Sequence, residues 1–236
     1  MSKSELANQS ADYVAMAAKA SLGTVPFVGS LLAELAGSVI PNQRIDRITK
    51  FALVLEQRLS DLEKDKLYNQ VNTPECGDLL EEGMRQAASS LSDERCQYIA
   101  NLIANGVSSD EIQHHESKHL LKLLGELSDV EVIWLRFYAN ATIGGDKEFR
   151  GKHTPILDVE PAHMGSPQSV HDKNSMKKSY KNHLVRLGLL QEKYTVDSKT
   201  KQLKIDSQGR LEVKSYNLTS LGRLLLRSIG LSDGLG

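Results

Sequence analysis

The stretch Ala20–Ile40, ASLGTVPFVGSLLAELAGSVI, constrains the fold more than any other part of this chain. It runs for 21 residues with a single charge, Glu34, and carries small residues at Gly29, Ala33 and Gly37. Four-residue spacing sets those three on one side of a helix, where a second backbone can approach closely. The length matches a bilayer span of roughly 20 residues. Pro26, however, puts a turn inside it. Glu34 also makes residence in lipid costly, about 2.5–3.5 kcal/mol for a charge at the centre of a membrane helix. The segment is therefore expected to form an apolar helical hairpin. It either packs permanently in a bundle or is exchanged for lipid on a trigger.

The next segment has the clearest periodicity of the chain. Ile45, Ile48, Ala52, Leu55, Leu59 and Leu62 recur at alternating three- and four-residue steps, the narrow seam of a heptad helix. Such a helix packs in a bundle or pairs with a second copy. Local signals then predict a succession of short antiparallel helices. Asn72-Thr73-Pro74 reads as a linker before a helix over 77–91. Ser92 caps a helix over 93–104, and Ser108 with Glu111 and Ser128 with Glu131 form capping boxes.

With 236 residues, 40% apolar and 25% charged, the chain fits one large domain or two small ones. Aromatic residues are few, at 5%, so the core is expected to be aliphatic and helical. Cys76 and Cys96 show no metal-type or redox spacing and read as reduced thiols. The N-terminal residues MSKSELANQSADYV lack the basic start and apolar run of a secretory signal. A cytoplasmic location is expected, with possible attachment at the inner membrane.

The second half differs in character. Residues 142–169, rich in Gly, Pro and His, show no period and read as a long loop. Met176, Tyr180, Leu184 and Leu187 then mark the inner stripe of a helix ending at Gly188. Short strands are expected over 189–196, 202–205 and 210–218, before a closing helix over 220–229 capped by Thr219. Helix, helix, β-ribbon and closing helix together read as a winged-helix-like domain. The net charge of −1 argues against general nucleic-acid binding. Yet eleven Lys or Arg against five Asp or Glu lie between Asp172 and Lys214. Lys177, Lys178, Lys181 and Arg186 fall off the apolar stripe, and Lys199, Lys201, Lys204 and Arg210 belong to the wing. Such a face suits phosphates or an acidic partner.

One motif offers catalysis. His115 to His119, HESKH, has the spacing of a zinc peptidase helix: His115 and His119 as ligands and Glu116 as base. A third ligand is required, and no downstream residue falls at a recognisable spacing. His153, Asp158, Glu160 and His163 add acid–base types within the long loop but no fixed geometry. No phosphate-binding glycine loop and no nucleophile elbow is present, and no cofactor is implied.

Two stretches, ERCQYIANLIANGVSSDEIQHHESKHLLKLLGELSDVEVIWLRFY and the tail HLVRLGLLQ with YNLTSLGRLLLRSIG, resemble the Abi-alpha-like family of bacterial abortive-infection proteins. They cover under half of the chain and consist of Leu/Gly patterns without a catalytic signature. The resemblance implies a non-enzymatic helical protein with a winged-helix end, acting in growth arrest or phage exclusion, and assigns no functional residue.

The sequence thus predicts a mainly α protein in three parts. These are a hairpin and heptad helix (1–71), short bundle helices (72–127) and a winged-helix-like α+β domain (128–236). It is expected to act by self-association and partner binding, with possible membrane contact through Gly29, Ala33 and Gly37. The alternatives are a dimeric DNA-binding regulator and a zinc-dependent hydrolase using HESKH.

Overall fold

The structure, a computed structural model, describes residues 20–30, 32–33, 44–70, 73–108, 114–141, 145–206 and 209–231. The expected first helix over 5–20 lies outside them except for its last residue. So do Glu34, Gly37, the break at Pro41-Asn42 and the Glu111 half of a capping box. The protein is mainly helical, with one small antiparallel two-stranded sheet among the described residues. No described helix is long and apolar enough to cross a membrane. The chain divides into two compact units, residues 1–126 with 228–230 and residues 127–227 with 231–236.

In the first unit the chain is helical at 20–22, turns through 23–27 and resumes as helix at 28. Leu22, Val25, Val28 and Leu32 are buried, so these four apolar side chains of the hairpin belong to the protein's own core. Gly29 sits where a Cβ would fall 1.9 Å from the Leu22 carbonyl oxygen. Its small size therefore serves closure of the hairpin on itself. Ala33 is partly exposed. The renewed helix is capped from a distance: Glu56 Oε2 accepts from the Val28 and Phe27 amides at 2.7 and 3.3 Å, while Oε1 pairs with Lys64 at 2.9 Å.

Helix α1 (Ile45–Arg58) buries Ile45, Ile48, Phe51, Ala52 and Leu55 against α3 (Pro74–Ser89) and α4 (Asp93–Ser108). The heptad does not continue as one helix. Leu59 is extended. Ser60 then starts α2 (Asp61–Gln70) with a reciprocal box, its Oγ accepting from the Glu63 amide at 3.4 Å and its amide donating to Glu63 Oε2 at 2.6 Å. The S-x-x-E signal at Ser60–Glu63 was available to detect this break. Helix α3 begins at Pro74, because Thr73 Oγ1 accepts from the Cys76 amide and proline suits the first helical position. The expected linker is thus a cap. Ser92 Oγ accepts from the Arg95 amide at 3.2 Å to open α4. Gly83 lets α3 approach α4 so closely that a Cβ would lie 2.5 Å from Ile103 Cδ1. Both cysteines are buried and unbridged, and burial pushes the Cys76 thiol up to about 11. Helix α5 (His114–Glu126) completes the unit by packing on α3 and α4.

The second unit opens with α6 (Asp129–Ala139), started by the expected Ser128–Glu131 capping box. The long aperiodic segment is not wholly a loop. Asp146 accepts from the Phe149 amide at 3.1 Å and starts α7 (Lys147–Lys152), which α8 (Thr154–Leu157) follows. Asp146 is also ion-paired at 2.7 Å with the buried Arg136. That pair and the Arg136–Phe149 contact at 5.3 Å tie α7 to α6.

Helix α9 (Gln168–Arg186) starts earlier than its apolar stripe suggests. It ends in a Schellman turn: Gly188 is left-handed at φ +72°, its amide bonds Val185 O, and the Leu189 amide bonds Leu184 O. Strands β1 (Leu190–Tyr194) and β2 (Val213–Leu218) pair antiparallel, with Leu190 opposite Leu218, Glu192 opposite Tyr216 and a bulge near Tyr194. Of the expected middle strand, only the bridges Val196–Leu203 and Ile205–Leu211 form. Thr219 Oγ1 accepts from the Gly222 amide at 3.0 Å and so starts α10 (Ser220–Ser228).

Candidate functional site

Helix α9 does not face as its apolar residues suggest. Of the stripe Met176, Tyr180, Leu184 and Leu187, only Leu184 is buried, and Met176 is 51% exposed. Lys177 and Lys181, expected on the outer face, turn inward. Both ammonium groups lie 5.4 Å from the centre of the Trp134 ring, and that of Lys181 is also 5.2 Å from the Tyr216 ring. The reason is amphipathic: lysine stems cover aromatic surface while the charge sits over an electron-rich face. Tyr138 backs this platform, 5.8 Å from Tyr216.

The electrostatics follow from that packing. Burial, with the Lys177 charge added, lowers the Lys181 ammonium from its ordinary value. Burial pushes the Tyr138 phenol far above its usual range, with a smaller push from Tyr216. It also raises Tyr216, helped by Glu192 and Tyr194. Both tyrosines are therefore neutral at physiological pH, and the lysines carry the charge on this platform.

A cleft of about 770 Å³ opens between α9 and the ribbon. Asn174, Lys177, Lys178, Lys181 and Asn182 form one wall, and Tyr194, Leu211, Val213 and Tyr216 belong to the other. Glu192, Asp206, Glu212 and Arg210 also line it. Asp206 pairs with Arg210 at 3.4 Å, and Glu192 accepts from the Tyr194 hydroxyl at 2.8 Å. Lys177, Lys178 and Lys181 form no ion pair among the described residues.

The remaining basic candidates are distributed unevenly. Lys178 also borders a second cleft with Arg186 and His183, where His183 Nδ1 is 2.6 Å from Glu131 Oε1. Lys201 and Lys204 are exposed on the ribbon, Lys201 with φ +58° in the turn that Asp197 caps through the Lys199 and Thr200 amides.

His115, Glu116 and His119 are all exposed on α5, whose buried face carries Ser117, Leu120, Leu121 and Leu124. Among the described residues no group of three His, Cys, Asp or Glu could hold a metal ion. His153 packs on Phe149 at 4.6 Å, and His163 hydrogen-bonds Ser166 at 3.0 Å. Sequence reasoning singled out the lysines but set Lys177 and Lys181 on the outer face and missed their platform. The cluster Trp134, Phe137, Tyr138 in a chain with so few aromatics was the available signal.

No protein-family model matches the chain, and no curated protein or solved structure matches it.

Proposed function

We propose that this protein acts by binding, and that its second unit is a winged-helix-like module whose ligand is a polyanion, with nucleic acid the first candidate. One observation carries the reading: Lys177, Lys178 and Lys181 line a single cleft without a carboxylate partner among the described residues. Crowding two lysines against Trp134 costs stability, because like charges one helical turn apart repel. A bound phosphate relieves that repulsion. The helix–ribbon–helix order of α9, β1, β2 and α10 supports the winged-helix assignment. Sequence resemblance to abortive-infection proteins supports placing this activity in phage defence. Membrane attack by the 20–40 hairpin gains no support, since Leu22, Val25, Val28 and Leu32 are committed to the core.

A salt titration of binding to duplex and single-stranded DNA tests the reading. Phosphate contact by three lysines requires affinity to fall with rising salt, and Lys177→Glu with Lys178→Glu to abolish binding. Salt-independent binding, or none, refutes it. A phage challenge of bacteria expressing wild type or the double variant tests the defence role; equal plaque counts remove it.

A further inference from the structure

The wall of the cleft opposite the lysines carries Tyr194, Leu211, Val213 and Tyr216 beside the charged Glu192, Asp206, Arg210 and Glu212, and its apolar part continues past the cleft. Paired residues on neighbouring strands project to the same face, as do residues two apart on one strand. Leu211 pairs with Ile205, Ile205 shares its face with Leu203, and Leu203 pairs with Val196. These four residues therefore form one row, and they are 41%, 65%, 50% and 51% exposed. The bulge near Tyr194 keeps the row continuous with the ring wall, because Leu211, Val213 and Tyr216 all line the same cleft.

A cleft with three lysines on one wall, and on the other rings and aliphatic groups that run on from Leu211 into an exposed row, does not suit duplex DNA. The duplex offers phosphates but hides the flat faces of its bases. Lys177 and Lys181 are also set back against Trp134, behind the outer surface of α9. A single strand satisfies both walls, with phosphates on the lysines and unstacked bases on the floor. Resting on the polyanion reading above, we infer that this groove selects single-stranded nucleic acid, with Lys177, Lys178 and Lys181 as phosphate contacts and Leu203, Ile205 and Leu211 as the base-facing floor.

The test uses the full chain and fluorescence anisotropy with four probes. These are a labelled oligothymidylate of about 20 nucleotides, an abasic strand and a duplex of the same length, and polyglutamate. The oligothymidylate is expected to bind about tenfold more tightly than the duplex or the abasic strand. Lys181→Met should weaken it about tenfold and flatten its salt slope. Ile205→Ser with Leu211→Ser should reduce it to the abasic level with the slope unchanged. Both side chains are exposed, so this variant keeps the fold, which circular dichroism verifies. Equal affinity for duplex and single strand, or for intact and abasic strands, overturns the inference while leaving polyanion binding standing. Preference for polyglutamate overturns it in favour of an acidic protein partner. Failure of every polyanion to bind overturns both readings.

Discussion

Glu131 Oε1 lies 2.6 Å from His183 Nδ1, while its other oxygen closes the capping box with the Ser128 amide and hydroxyl, each at 2.8 Å. One buried carboxylate thus starts α6 and holds α9, the helix that carries the cleft lysines. Loss of the cap costs about 1 kcal/mol, and each lost buried hydrogen bond about the same. Glu131→Ala is expected to destabilise the protein by about 2–3 kcal/mol, and Glu131→Gln by distinctly less. Urea unfolding followed through Trp134, the chain's one tryptophan, measures both. Equal losses would show that the carboxylate's acceptors are not what matters.

Glu56 links α1 to the apolar hairpin and should give stability a pH dependence. Burial alone would raise its carboxyl. The hydrogen bond and charge of Lys64 and the Val28 and Phe27 amides outweigh that and hold it below the ordinary 4.5. A carboxyl depressed in the folded state contributes stability above its unfolded value and loses it as pH falls through the folded one. Glu56→Gln should therefore lower stability by about 1–2 kcal/mol near pH 7. The deficit should shrink steadily below pH 4.5. Melting temperatures of both proteins across that range decide it; a pH-independent gap contradicts the assignment.

Gly222 and Gly151 form a matched pair of tests. A Cβ at Gly222 would fall 2.4 Å from the Leu189 carbonyl oxygen, a backbone atom that cannot swing aside, whereas nothing lies within 4 Å of one at Gly151. Gly222→Ala should cost about 1–3 kcal/mol through overpacking. Gly151→Ala, in a helix with free space, should be neutral or stabilising by up to about 1 kcal/mol. Chemical denaturation of the two variants provides the comparison.

Lys181 is expected to trade stability for binding. Its charge is disfavoured in the folded state by burial and by Lys177, so a penalty is in force at neutral pH. It is relieved as pH rises through the lowered folded-state value toward the ordinary 10.5. Lys181→Met should stabilise the protein by about 0.5 kcal/mol near pH 7. The gain should disappear as pH approaches 10.5. Denaturation midpoints at both pH values test the sign; a destabilised variant would mean the lysine is held by attraction alone.

Legibility in the sequence followed the range of the interaction. The capping residues Ser92, Ser128 with Glu131, and Thr219 were readable, as was the stop at Gly188, because each is a hydrogen-bond pattern closed within a few residues. The buried face of α1 was readable because its period is local too. The facing of α9 was not. Its polar residues allow several faces inward, and the choice fell to Trp134 and Tyr216, each more than 30 positions from Lys181.

The sequence by itself determined the local caps at Ser92, Ser128 and Thr219, the stop at Gly188 and which short segments are apolar, since propensity and capping act over a single turn. Tertiary structure decided that Glu56 caps a helix 28 residues away and that Arg136 pairs with Asp146 at the start of α7. It also decided that lysines, not methionine, line the cleft, and that four separate aliphatic residues form one exposed row. Each depends on a partner brought close only by folding, and no local pattern encodes that meeting.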